Sequence, residues 1–165
     1  MESQTTPVIG VLIFLIIVAI AGYLGVAPYN QLKAIQSTDP NLTYRVNQAK
    51  SWTLSGIIAS FVAAIGLLIS LFLSTKAVYD VNSAMSLLKT GTIVGIIVFI
   101  AIVIGAVSYL VASTLTESIP LVSSRNLFFA FILDFACILV PFIFVIIIMS
   151  MMYSKGSKID FADFN

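Results

Sequence analysis

Histidine is absent from this chain of 165 residues, and cysteine occurs once, as Cys137. The first absence removes the usual haem ligand, the commonest transition-metal ligand and the usual general base near neutral pH. The second excludes an intrachain disulfide. Charge is scarce as well: 9% of the residues are Asp, Glu, Lys or Arg, against about 25% in an ordinary soluble domain. The net charge is +1, without a basic tail or stripe, so nucleic acid is not an expected partner. No Walker motif or glycine-rich phosphate loop is present; Gly91-Thr-Ile-Val-Gly95 stands at a helix start with no Gly-Lys-Ser/Thr behind it. No internal repeat marks a transporter built by duplication. The expectation is a chain that is not an enzyme, holds no cofactor or metal and takes no small-molecule substrate.

What fills the chain is apolar side chain: 60% of the residues are hydrophobic and the mean hydropathy is +1.12. A small water-soluble domain leaves too much of its surface exposed to hide that content in one core. The expected solvent is lipid. A span needs about 20 apolar residues to cross a hydrocarbon core about 30 Å thick, and four stretches qualify, at about 8–26, 52–73, 92–112 and 127–152. The runs are continuous rather than alternating, which selects helices over barrel strands. The predicted fold is thus an all-α membrane protein, a single four-helix bundle over 1–165 with short loops, a polar C-terminal tail at 153–165 and both termini on one side. The N-terminal segment carries no Lys or Arg and no short apolar region with a cleavage site, so no cleavable signal peptide is expected.

Local signals refine the spans. Thr6 and Pro7 read as cap and first helical residue of the first. Asp39-Pro40 reads the same way, with Leu42, Val46 and Ala49 at helical spacing, so the second helix is expected to begin near Pro40, well before the lipid. Ser83 is a candidate cap for a helix leading through Met85 and Leu88 into the third span. The fourth span, the longest of the four and rich in phenylalanine, is expected at the periphery, kinked by Pro141. Orientation is close to balanced: Lys76, Lys89, Lys155 and Lys158 lie on the side of the termini, and Lys33, Arg45, Lys50 and Arg125 on the other. The lean is towards cytoplasmic termini. Asn41-Leu42-Thr43 is a glycosylation sequon on the opposite side.

The strongest pattern is steric. Gly56, Ala59, Ala63, Gly66 and Ser70 lie on one face of the second span. Gly91, Val94, Val98, Ala101, Gly105, Ser108 and Ala112 lie on one face of the third, where Gly91 and Gly95 form a GxxxG. Small residues let helix backbones approach closely in lipid, so these two spans are expected to pack as a tight antiparallel hairpin. Asp134 is the one ionisable carboxyl well inside a span, about 10 Å below the surface by helical rise. Ser60, Ser108, Tyr109 and Tyr23 fall at a similar level, with Ser55 near them. The reading is an intramembrane polar layer in which Asp134 is hydrogen-bonded or protonated. It serves either as an interhelical hydrogen bond or, if functional, as an ion or proton site.

The tail, Ile159 to Asn165, alternates the acids Asp160 and Asp163 with Phe161 and Phe164. It reads as a segment docking onto a partner, or as a disordered tail. Tetraspanin-like and claudin-like readings fail for want of loop cysteines, and an intramembrane serine protease for want of histidine. In outline (short loops, many spans, an acid–aromatic tail) the chain resembles the small inner-membrane and minor capsid-associated proteins of large icosahedral double-stranded DNA viruses. That resemblance implies a structural subunit of a larger assembly, set in a virion membrane with the lipid bilayer and capsid proteins as partners. The alternative is a small ion channel or transporter using Asp134.

Overall fold

A computed structural model describes residues 5–79, 84–119 and 121–156. Those residues form four helices, α1 (Thr5–Ala34), α2 (Pro40–Tyr79), α3 (Ala84–Thr116) and α4 (Ser124–Gly156). Each contains a stretch long and apolar enough to cross a membrane: Ile9–Ala34, Pro40–Leu73, Lys89–Thr116 and Ser124–Ile143.

The start of α2 shows why the sequence signal was readable. Asp39 caps the helix: its Oδ1 accepts the Asn41 N–H at 2.9 Å, and its carbonyl accepts the Thr43 hydroxyl at 2.9 Å. Pro40 occupies the first helical position, where no N–H is needed. The other boundaries move outward from the expected ones. The helix of the first span does not stop near Val26 but continues through Pro28 to Ala34. Pro28 is fully buried and so is Leu32, so packing offsets the one backbone hydrogen bond that the proline removes. The longest helix is α2, at 40 residues, and not α4, at 33, because α2 adds an amphipathic segment ahead of its apolar run. Helix α4 continues through Pro141 without ending there.

The helices close into a ring, α1 against α2 and α4, α3 against α2 and α4. Contacts fix the directions. Gly22 lies by Ser60 and Gly25 by Ile57; Gly66 meets Val98 while Gly56 meets Tyr109; Gly105 meets Asp134. In each pair one number rises as the other falls, or the clusters continue that trend, as in Val18 with Cys137 and Ala21 with Ala130. Neighbouring helices are antiparallel. Helix α4 is therefore a full wall of the bundle and not a peripheral helix: Leu127, Ala130, Asp134 and Cys137 are buried against α1 and α3, at spacings of 3, 4 and 3. Its bulk faces outward, with Phe128, Phe129, Phe135 and Phe142 exposed.

A second apolar cluster lies at one end. Leu32 from α1, Val46 and Ala49 from α2, and Ile119 after α3 pack together, flanked by Ile35, Leu42, Leu115 and Val122. The α3–α4 turn beneath it is held by Ile119 N–H on the Thr116 carbonyl at 3.0 Å. It is also held by Ser123 N–H on Gln31 Oε1 at 2.9 Å. Leu121 sits in this turn at φ 75°, left-handed backbone for a branched side chain, and is 90% exposed.

Candidate functional site

The inward faces of α2 and α3 carry the small residues that the sequence pattern singled out. Gly56, Ala59, Ala63 and Gly66 are buried on α2, and Val98, Ala101, Gly105, Ser108 and Ala112 on α3. Ser70 is half-buried at the edge of the seam. The GxxxG is different. Nothing among the described residues lies within 4 Å of where a side chain on Gly91 or Gly95 would begin. The spacing of two glycines carries no information about whether a neighbour stands opposite them.

At the middle of the seam the small residues accommodate a large one. Tyr109 is 0% exposed, its ring laid across Gly25 of α1 and Gly56 of α2. A Cβ at Gly56 would lie 2.7 to 2.9 Å from three ring carbons, and one at Gly25 would lie 2.9 Å from Cε1. Neither glycine admits a methyl group without displacing the ring. Tyr109 then brings its hydroxyl to Ser60 Oγ, at 3.3 Å, while Ser60 also donates to the Gly56 carbonyl at 3.0 Å. On the adjacent side the Ser108 hydroxyl donates to Ser55 Oγ at 3.2 Å. Four hydroxyls of the expected layer thus meet as two interhelical pairs, both between α2 and α3.

Tyr23 is not part of it. The residue is 78% exposed, because Ala21 and Gly25 face inward and a step of two residues along a helix turns a side chain to the far side. It lines an outer groove with Asn30 and Asn126, the position of an interfacial aromatic. Sequence reasoning also passed over Gly22 and Gly25 of α1. With Val18, Ala21 and Pro28 they form a small-residue face at helical spacing, and that periodicity was the available signal.

Asp134 is 1% exposed, and neither carboxyl oxygen has a hydrogen-bond partner among the described residues. The expected hydrogen bond from the polar layer is not made. The reason is steric: the carboxyl lies over Gly105, so close that a Cβ there would be 2.6 Å from Oδ2, and the Cβ of Ala59 borders the same spot. The hydroxyls of the layer are already committed to one another. No family model, curated protein or solved structure matches this chain. Its chemistry has to be read from the site itself. Among the described residues no cluster of three metal-binding side chains occurs, and the groups that meet at this level are hydroxyls and one carboxyl. Such groups can hold helices in register or hold a proton.

Proposed function

We propose that the chain is a multi-pass membrane protein, crossing a bilayer four times with both termini on one side, and that it is a non-enzymatic structural subunit anchoring a larger assembly. The observation that carries this reading is how the side chains are divided. The interior is closed by small residues around Val18, Ala63, Leu67, Val98 and Ile102, and its hydroxyls are used between helices. Large side chains such as Ile16, Phe61, Phe72, Ile93 and Ile146 point outward from all four helices, as lipid or a neighbouring membrane protein requires. The end formed by α1, α2 and the α3–α4 turn presents exposed Lys33, Arg45, Asn47 and Gln48, a surface suited to a water-soluble partner.

The finer reading is a virion inner-membrane protein tying bilayer to capsid, supported by the outline of the chain. Its docking residues are Asp160, Phe161, Asp163 and Phe164, which lie outside the described residues, as do Ser83 and Lys158. Cytoplasmic termini remain the preferred orientation. The test is gentle detergent extraction from the native source, with sizing and identification of what co-purifies, for the full chain and for one ending before Lys155. A large complex that loses partners on truncation supports the reading; a chain that runs alone overturns it.

A second reading, a small cation channel or transporter, is favoured by one observation, the unpartnered buried carboxyl of Asp134. Flux through vesicles holding the purified chain, abolished by Asp134→Asn, would establish it.

A further inference from the structure

We infer that Asp134 is a proton-binding site, a carboxyl kept in the interior of the bundle as the neutral acid, and that the proton is the cation its surroundings are built to take. The inference rests on the packing about the residue and stands whether or not the chain conducts.

Each helix around the carboxyl contributes to the case. From α3 the groups on this face are Gly105, whose missing side chain makes room for Oδ2, and Tyr109, one turn further along the helix. From α4 the titratable neighbour is Cys137, one turn along the same face. Helix α2 offers Ala59, and α1 offers Val18 and Ala21 on the opposing wall; none of these ionises. No lysine or arginine occurs between Lys50 and Lys76, between Lys89 and Arg125, or between Arg125 and Lys155. Arg125 is nine residues back along α4, about 13 Å by helical rise, and its guanidinium rests over the Phe129 ring, 5.3 Å from the centroid. A carboxylate at this point would have neither counter-charge nor donor. An ionised aspartate within an apolar span is costly on insertion scales.

Metal ions fit worse than a proton. Calcium takes about six to eight oxygens and magnesium about six in a near-octahedral shell. Here the nearest hydroxyls are bound elsewhere, Ser60 to Gly56 and Tyr109, and Ser108 to Ser55. A proton needs one oxygen and adds no ligand. The notch over Gly105 is filled by the carboxyl itself, since a Cβ there would lie 2.6 Å from Oδ2.

The experiment is isotope-edited infrared spectroscopy of the full chain in phosphatidylcholine vesicles at neutral pH, with aspartate carboxyls labelled with carbon-13. The chain has five aspartates, Asp39, Asp80, Asp134, Asp160 and Asp163, and four lie outside the apolar spans. The expected spectrum contains a carboxylic-acid C=O band that shifts with the label, and that band is lost in Asp134→Asn. Should that variant not fold, Asp134→Glu makes the same assignment: the labelled band goes and an unlabelled acid band replaces it. A wild-type spectrum with carboxylate bands alone, and no label-sensitive acid band, overturns the inference. So does an acid band that persists unchanged in both variants.

Discussion

Substituting alanine for Gly56 should damage this bundle more than its size suggests. The added methyl would sit 2.7 Å from Cε1 and 2.9 Å from both Cδ1 and Cζ of Tyr109, where ordinary contact begins at 3.4 Å. The obstacle is the flat side of a ring, not the free end of a flexible chain. Gly25 also stands close to the ring, with a Cβ there 2.9 Å from Cε1, and the hydroxyl is held at Ser60. Overpacking of this kind costs about 1–3 kcal/mol, while replacing a helical glycine by alanine returns about 1 kcal/mol. The net expectation is a loss of up to about 2 kcal/mol. Gly95→Ala is the matched control, with nothing within 4 Å, and it should be neutral or stabilising by up to about 1 kcal/mol. The assay is equilibrium unfolding in mixed micelles with a denaturing detergent, followed by helical circular dichroism and by Trp52, the sole tryptophan. A Tyr109→Ala background should erase most of the Gly56→Ala penalty, giving a coupling of about 1–2 kcal/mol. If Gly56→Ala and Gly95→Ala behave alike, or if the penalty survives without the ring, the cradle account is wrong.

Tyr109→Phe removes only the hydroxyl facing Ser60 and should lower stability by about 0.6 kcal/mol, the usual size of an interhelical hydrogen bond in a membrane; Ser60→Ala should add little to it in the same unfolding assay. Asp39→Ala strips the cap of α2 and should cost about 1 kcal/mol, read in the same unfolding assay as a lower midpoint with the transition slope unchanged. Leu121→Gly removes a left-handed strain of about 1 kcal/mol at a side chain that buries almost nothing, so it should raise the midpoint. Cys137, buried against α1 and α3, should resist a water-soluble maleimide in the native bundle and react once it unfolds, as mass spectrometry would show.

The spans were legible in the sequence because length and continuity of an apolar run are local properties. So was the start of α2, since Asp39, Pro40 and Thr43 supply their own capping bonds. The extension of α1 through Pro28 was not legible: it depends on Leu32 finding Val46, Ala49 and Ile119, contacts made far away in the chain. The inward face of α2 could be read from its periodicity. The same rule finds no partner for Gly91 and Gly95 among the described residues, because small size permits an approach without providing one. Tyr23 was assigned by depth alone, and depth says nothing about the direction in which a helix turns a side chain. Asp134 was conspicuous as a lone acid in a span. Its lack of a donor goes with Tyr109 having bonded to Ser60 and Ser108 to Ser55, and only their packing reveals that.

The bond from Ser123 to Gln31 joins residues 92 positions apart. A ribosome has to deliver three helices and most of the third connection before this latch can close. Until then Leu32, Val46 and Ala49 lack the Ile119 side of their cluster, and the first hairpin stays unfinished. The cap is thus a completion mark: a chain halted early exposes an apolar end that a chaperone or protease can recognise, and a chain carried to term conceals it.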